Sequence, residues 1–151
     1  MAVLLDVIKA GNPVLKKVAA PVEKITKNTR RLLDDMAETM YKSEGCGLAA
    51  PQVNVSQRII VCDDGNGLRE LINPVIIEKE GTQIGLEGCL SVPGYFGDVE
   101  RYEWVTVEAL NRHNKKIHIK TDGFLSRILQ HEIDHLDGIL FIEKTDALRK
   151  G

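Results

Sequence analysis

Residues 124–136 read FLSRILQHEIDHL, and the predicted fold is built around this stretch. Its apolar residues recur at helical spacing and form one stripe, which comprises Phe124, Leu125, Ile128 and Leu129. Thr121 or Asp122 can cap the start of such a helix, and Gly138 can end it. The pattern therefore predicts a late helix over residues 124–136 whose apolar side faces a core.

The segments before this helix combine short strands with one earlier helix. Apolar residues at helical spacing predict a helix over 29–43, capped by Asn28 or Thr26. Strands are predicted at 58–62, 71–79, 102–110 and 115–120, and a glycine- and proline-rich loop at 87–97. Pro74 lies in the second of these strands and indicates that it is an edge strand. The predicted class is α+β, with short antiparallel strands packed around the late helix, in a single domain over residues 1–151.

Composition and charge exclude several classes of protein. The chain has 20 basic and 22 acidic residues and a net charge of -2, so no overall basicity indicates a nucleic-acid partner. The longest apolar run, residues 1–5, is far shorter than the roughly 20 residues that a membrane-spanning helix needs. Three cysteines, an odd and low number, argue against a disulfide scaffold. We expect a cytoplasmic protein, or the mature form of an organellar one.

The late helix carries the pattern of a metal site. His131 and His135 are four residues apart, so both imidazoles lie on one helix face and can reach the same divalent ion. Glu132 lies beside that face, where its carboxylate can accept a proton from water without ligating the metal. This H-E-x-x-H arrangement is typical of metal-dependent hydrolases, which need a Lewis acid and a base. A solvated helix face with two histidines is the alternative.

A catalytic site of this kind usually has a third protein ligand and an open position for water. Too little chain follows His135 for a ligand to return easily from downstream, so an upstream residue is favoured. Cys89 is the best candidate, because it lies between Gly88 and a Pro-Gly turn; its alternative role is that of a small buried residue. The other upstream candidates are Cys46, Cys62, His113 and His118. A thiolate with two imidazoles favours Zn, Fe(II), Co or Ni over Mg or Ca.

Three segments together resemble one family of enzymes. They are Gly45-Cys-Gly-Leu-Ala-Ala-Pro-Gln52, Glu87-Gly-Cys-Leu-Ser91 and His131-Glu-Ile-Asp-His135. In this order the chain resembles the peptide deformylases, whose motifs are G-x-G-L-A-A-x-Q, E-G-C-x-S and H-E-x-D-H. The family's activity is the removal of the N-formyl group from the N-terminal formylmethionine of nascent polypeptides.

The resemblance implies a role for each matched residue. Cys89, His131 and His135 look like the metal ligands, and Glu132 looks like the general base and acid. Gln52 and the backbone N–H of Leu90 look like the donors that hold the formyl oxygen as it becomes an oxyanion. The family's physiological metal is commonly Fe(II), and Zn, Ni or Co can occupy the same site.

The resemblance also implies an extended peptide substrate whose methionine side chain enters an apolar pocket. The matched substrate-binding positions are Cys46, Gly47, Gly88, Phe124, Arg127 and Ile128. Cys46 departs from the aliphatic residue that often fills its position, and Arg101 is expected to pair with Glu87. We expect a monomer that contacts the ribosome transiently, without nucleic-acid specificity and without membrane association.

Two other functions remain open on the sequence. The motifs define amide hydrolysis more firmly than the side-chain pocket, so a hydrolase of another N-acyl amide is the nearest alternative. A non-catalytic metal-binding module formed by Cys89, His131 and His135 is the second. Glu132 argues against that module, because a structural metal site needs no positioned base.

Overall fold

The computed structural model describes residues 2–151; Met1, which begins both the short apolar run and the predicted domain, lies outside the described residues. These residues form two α-helices, α1 at Lys27–Lys42 and α2 at Gly123–Leu136. The α1 prediction is confirmed with Thr26 as its cap, since the Thr26 and Thr29 side chains each accept a bond from the other's backbone N–H. The α2 prediction is also confirmed, although Asp122 makes no side-chain cap hydrogen bond.

Five antiparallel strands form the larger sheet: β1 Gly47–Ala49, β2 Ile59–Asp63, β3 Leu68–Glu80, β6 Trp104–Leu110 and β7 Lys116–Thr121. Their order in the sheet is β1-β2-β3-β6-β7. Pro74 does not mark an edge strand as predicted, because it lies in β3, the central strand of the five. The register shifts between Ile72 and Val75, so the proline lies in a bulge where the strand tolerates its missing N–H.

A smaller antiparallel sheet has the order β4-β5-β8, formed by β4 Gln83–Cys89, β5 Val92–Arg101 and β8 Arg149–Lys150. The prediction of a loop over residues 87–97 is therefore wrong: most of this segment is a β-hairpin. Its glycines and its one proline, Pro93, lower strand propensity, but the glycines allow close packing that side chains would prevent. A Cβ atom on Gly88, for example, would lie 2.8 Å from the Phe96 ring.

The larger sheet lies between the two helices, and the alternation of residues along β2 explains this arrangement. Its alternate residues point to opposite faces of the sheet. Ile59 and Val61 pack in the cluster that contains Met36 of α1, whereas Ile60 and Cys62 pack in the cluster that contains Leu129 of α2. Helix α2 is thus buried along most of its length, and its motif is held against the sheet. One predicted member of its apolar stripe differs, because Phe124 is 57% exposed.

The part of the chain that the structure describes also has three short 3-10 helices, at Pro13–Lys16, Ala50–Val53 and Phe141–Glu143. The second of them directly follows β1 and carries Gln52. Within residues 2–151, neither helix is both long and apolar enough to cross a membrane.

Candidate active site

Cys89, His131 and His135 come together at the junction of β4 and α2. Cys89 is the last residue of β4, and the two histidines lie one turn apart on α2. Their candidate ligand atoms all lie within 4.8 Å of one another, and the Cys89 Sγ is 3.3 Å from the His135 Nε2. Within residues 2–151 this is the one group of such residues with metal-site spacing. The other upstream candidates, Cys46, Cys62, His113 and His118, do not belong to it.

The donor set fits a soft or borderline divalent cation. His131 uses its Nδ1 in a 2.9 Å contact with the Glu87 carboxylate, which leaves its Nε2 available. His135 presents Nε2 to the Cys89 sulfur. One thiolate and two imidazoles suit Zn or Fe(II), and a carboxylate behind a ligating histidine is the usual way to fix its orientation.

Glu87 is the centre of a buried ionic cluster behind the histidines. Its two oxygens accept hydrogen bonds of 2.8 Å from Arg101 Nε and Nη2, and a third from Arg127 Nη1. Burial alone would raise the pKa of Glu87, but the hydrogen bonds and charges of Arg101 and His131 lower it to about 2. The expected pairing of Arg101 with Glu87 is thus present, and Glu87 stays ionised beside His131.

Asp134 is a further member of this cluster, and the sequence reasoning did not single it out. Asp134 accepts a hydrogen bond from Arg101 Nη1 and forms a 2.9 Å ion pair with Lys144. The sequence signal that could have revealed Asp134 is its position inside the H-E-I-D-H motif. The buried Arg127, predicted to bind substrate, spans the gap between α2 and the hairpin: it also donates to the carbonyls of Gly85 and Val99.

Glu132 lies in the same site with an unsatisfied carboxylate. The residue is buried, and its Oε1 has no hydrogen-bond partner among residues 2–151. Its Oε2 is 4.0 Å from the His131 Nε2. Burial raises the pKa of Glu132 to about 7, against the lowering effect of His131. Gly47 allows this placement, because a Cβ on it would overlap the carboxylate. A buried carboxylate with a free oxygen and a pKa near neutrality is suited to accept and return a proton.

Gln52 is held with its amide nitrogen toward the same centre. Its Oε1 accepts a 2.9 Å bond from the Ala49 N–H, which fixes the orientation of the amide. Its Nε2 donates to the Ser91 hydroxyl at 3.1 Å and lies 3.5 Å from the Cys89 sulfur. Leu90 lies in the turn that joins β4 to β5. Both predicted oxyanion donors, Gln52 and Leu90, line the same cavity as Glu132.

A cavity of about 470 Å³ opens at this centre. All six predicted substrate-binding residues line it: Cys46, Gly47, Gly88, Phe124, Arg127 and Ile128. It is also lined by two aromatic residues that the sequence reasoning missed, Tyr95 and Phe96, each of which is 39% exposed. Both belong to the segment predicted as a loop, so no strand pattern drew attention to them.

Comparisons with known proteins agree with this geometry. The family model for polypeptide deformylase matches residues 4–151. The peptide deformylase of Halothermothrix orenii is 60% identical over 143 residues, 93% of either chain, and that of Carboxydothermus hydrogenoformans is 56% identical over 146 residues, 96% of either chain. The crystal structure of the Thermotoga maritima peptide deformylase is 40% identical, with a TM-score of 0.94 over 96% of this chain and 99% of that one. A Met-Ala-Ser-bound peptide deformylase from Acinetobacter baumannii is 40% identical, with a TM-score of 0.90 over 95% and 99%. The chain therefore belongs to the peptide deformylase family.

Proposed function

We propose that this protein hydrolyses the N-formyl amide of N-terminal formylmethionine in nascent polypeptides and releases formate. The observation that carries the proposal is the buried carboxylate of Glu132, whose Oε1 has no hydrogen-bond partner within residues 2–151. Glu132 lines one cavity with Cys89 and His131, two members of the donor group that His135 completes. Family membership supports the same chemistry.

Each residue of the site has a distinct part in this reaction. A divalent ion held by Cys89, His131 and His135 would supply the Lewis acid that lowers the pKa of water. Glu132 takes the proton from the attacking water and delivers it to the leaving amine. Gln52 Nε2 and the Leu90 N–H donate to the formyl oxygen as it gains negative charge. Such preorganised donors act most strongly in the transition state.

The cavity supports a peptide substrate with an apolar first side chain. Phe124 and Ile128 give its wall an apolar character, and the glycines at 47 and 88 let a peptide backbone approach closely. Arg127 contributes the stem of its side chain to the wall while its guanidinium remains bonded to Glu87. The Met-Ala-Ser peptide bound to the Acinetobacter baumannii relative is of the corresponding product class.

The same reasoning extends to the ion and the partners. We infer that Fe(II) is the physiological ion and that Zn, Ni or Co can replace it, since one thiolate and two imidazoles accept all four. We also propose that the chain acts as a monomeric single domain in the cytoplasm. Contact with the ribosome is expected to be transient, and the balanced net charge gives no basis for nucleic-acid specificity.

The test is Glu132→Gln, prepared without oxygen and compared with Glu100→Gln, which changes an exposed glutamate on β5. Formyl-Met-Ala-Ser and acetyl-Met-Ala-Ser are the two substrates, and bound metal is measured in each preparation. Intact protein should cleave only the formyl peptide. Glu132→Gln should retain the metal and lose about 10²–10⁴-fold in kcat, the usual contribution of a general acid–base.

Each alternative function predicts a different result. Comparable cleavage of the acetyl peptide would favour a broader N-acyl amide hydrolase. No cleavage of either substrate by the metal-loaded intact protein would favour a non-catalytic metal-binding module. Unchanged turnover in Glu132→Gln would defeat the assigned role of the carboxylate.

A further inference from the structure

The Phe96 ring is held between two glycines from distant parts of the chain. A Cβ on Gly88 would lie 2.8 Å from the Cδ1–Cε1 edge of the ring, and a Cβ on Gly151 would lie 2.8 Å from the Cδ2–Cε2 edge. Gly88 belongs to the wall of the active-site cavity and directly precedes Cys89. Phe96 also lines that cavity and is 39% exposed. One edge of the ring therefore contacts the cavity wall, and the other contacts the last segment of the chain.

Strand β8 holds this segment in place through its backbone. Arg149 pairs with Phe96 and Lys150 pairs with Tyr95, and the Gly151 N–H donates to the Gly94 carbonyl at 2.8 Å. The side chains of Arg149 and Lys150 are exposed, and Arg149 makes only a 3.7 Å contact with Asp98. The position of β8 is therefore determined by its backbone hydrogen bonds to β5 and by the close approach at Gly151. Side-chain packing does not determine it.

We propose that β8 is a strap that fixes the Phe96 ring as the outer wall of the cavity and so sets the affinity for the peptide substrate. Phe96 is then a specificity-determining residue that contacts an apolar substrate side chain, and β8 is a positioning element that acts through it. This inference rests on the proposed deformylase function, because it concerns the substrate of the same site.

The position of Phe96 determines which kinetic constant changes. The ring makes none of the hydrogen bonds that hold Glu132, Gln52 or the three candidate ligands. Its contact with substrate is therefore expected to be equal in the ground state and the transition state. Loss of such uniform binding raises KM and leaves kcat unchanged.

The experiment is a double-mutant cycle on metal-loaded protein with formyl-Met-Ala-Ser as substrate. Its members are the intact chain, the chain ending at Leu148, Phe96→Ala, and the two changes combined. We expect the shortened chain to show a KM about three- to tenfold higher with kcat within twofold, the effect of losing part of one aromatic contact. In the Phe96→Ala background, shortening should change KM by less than about twofold, because both changes act on the same ring.

The matched control is Arg149→Ala with Lys150→Ala in the full-length chain, which keeps the β8 backbone and should leave KM unchanged. If the shortened chain does not give a cooperative thermal transition, Arg149→Pro replaces it. The Gly151 N–H bonds to Gly94, and bonded pairs alternate along an antiparallel ladder, so the Arg149 N–H also faces β5 and proline there removes a ladder donor at full length. An unchanged KM on loss of β8, a fall in kcat alone, or full additivity with Phe96→Ala would each overturn the proposal.

Binding of Met-Ala-Ser by calorimetry separates this inference from the proposed function. Weaker binding to the shortened chain than to the intact chain supports the strap even if the intact chain fails to deformylate, and equal binding overturns it. If the intact chain is active and loss of β8 changes neither its KM nor its affinity for the peptide, the strap proposal is overturned and the deformylase proposal is retained.

Discussion

Two arginines with nearly the same bonding geometry should contribute very differently to stability. Arg101 donates through Nε and Nη2 to Glu87 and through Nη1 to Asp134. Arg112 likewise donates through Nε and Nη2 to Glu70, and its Nη2 also reaches Asp34. The difference is burial, since the Arg101 side chain is 2% exposed and the Arg112 side chain is 27% exposed.

Replacement by methionine removes each guanidinium and keeps most of the side-chain volume. Arg101→Met leaves the buried Glu87 carboxylate with only Arg127 and His131, and removal of one partner from a buried ion pair costs about 3–5 kcal/mol. We expect the lower end of that range, because those two partners remain. Arg112→Met disrupts a cluster that water can solvate, where such pairs contribute about 0.2–1 kcal/mol.

Urea denaturation and thermal unfolding of metal-loaded protein at pH 7 test this difference. For a chain of this size, 1 kcal/mol corresponds to about 2–4 °C in Tm. Arg101→Met should therefore lower Tm by about 6–12 °C and Arg112→Met by no more than about 4 °C. Equal shifts in the two variants would refute the argument that burial decides the contribution of these clusters.

Three further predictions concern the site itself. Gly47→Ala should lower kcat by about 100-fold with metal content unchanged, because the new Cβ displaces the Glu132 carboxylate. Misplacement of a catalytic group by about 1 Å can lower the rate by that factor. Full activity of the variant would contradict this prediction. Gln52→Leu should lower kcat by about 10²–10³-fold, the usual loss for one oxyanion donor, and a change in KM alone would count against that role. Cys46 is exposed, but desolvation of its thiol and the nearby Glu132 carboxylate raise the pKa of that thiol to about 11. In metal-free Cys89→Ser, iodoacetamide should therefore label Cys46 about 10–100-fold more slowly than free cysteine at pH 7. The labelling rate should rise about tenfold per pH unit up to pH 10, as the thiolate fraction rises. Rapid labelling at pH 7 would contradict this prediction.

The sequence predicted both helices because each has a strong apolar period and a recognisable end. It also predicted which cysteine lies beside the two histidines, because Cys89 stands in a motif and Cys62 in an apolar strand. The β4–β5 hairpin was not predictable from propensity. Its glycines and Pro93 resemble a loop locally, and only pairing between the strands and the tight packing of Phe96 on Gly88 make it regular.

The ionic cluster behind the histidines was only partly predictable. The pairing of Arg101 with Glu87 was expected, but the roles of Arg127 and Asp134 depend on how α2 lies against the hairpin. Spacing along the helix placed Asp134 beside His135 without indicating that it binds Arg101. Contacts between elements of this kind follow from tertiary packing, which no local pattern contains.

The candidate metal ligands come from elements that are far apart in the chain, since Cys89 and His135 are separated by 46 residues. A cation bound there would act as a reversible cross-link that closes a long loop, much as a disulfide would. Because an unfolded chain has no such preformed site, each increment of binding free energy adds to the free energy of unfolding. Metal supply in the cell should therefore govern how long the folded protein survives, as well as whether it is active.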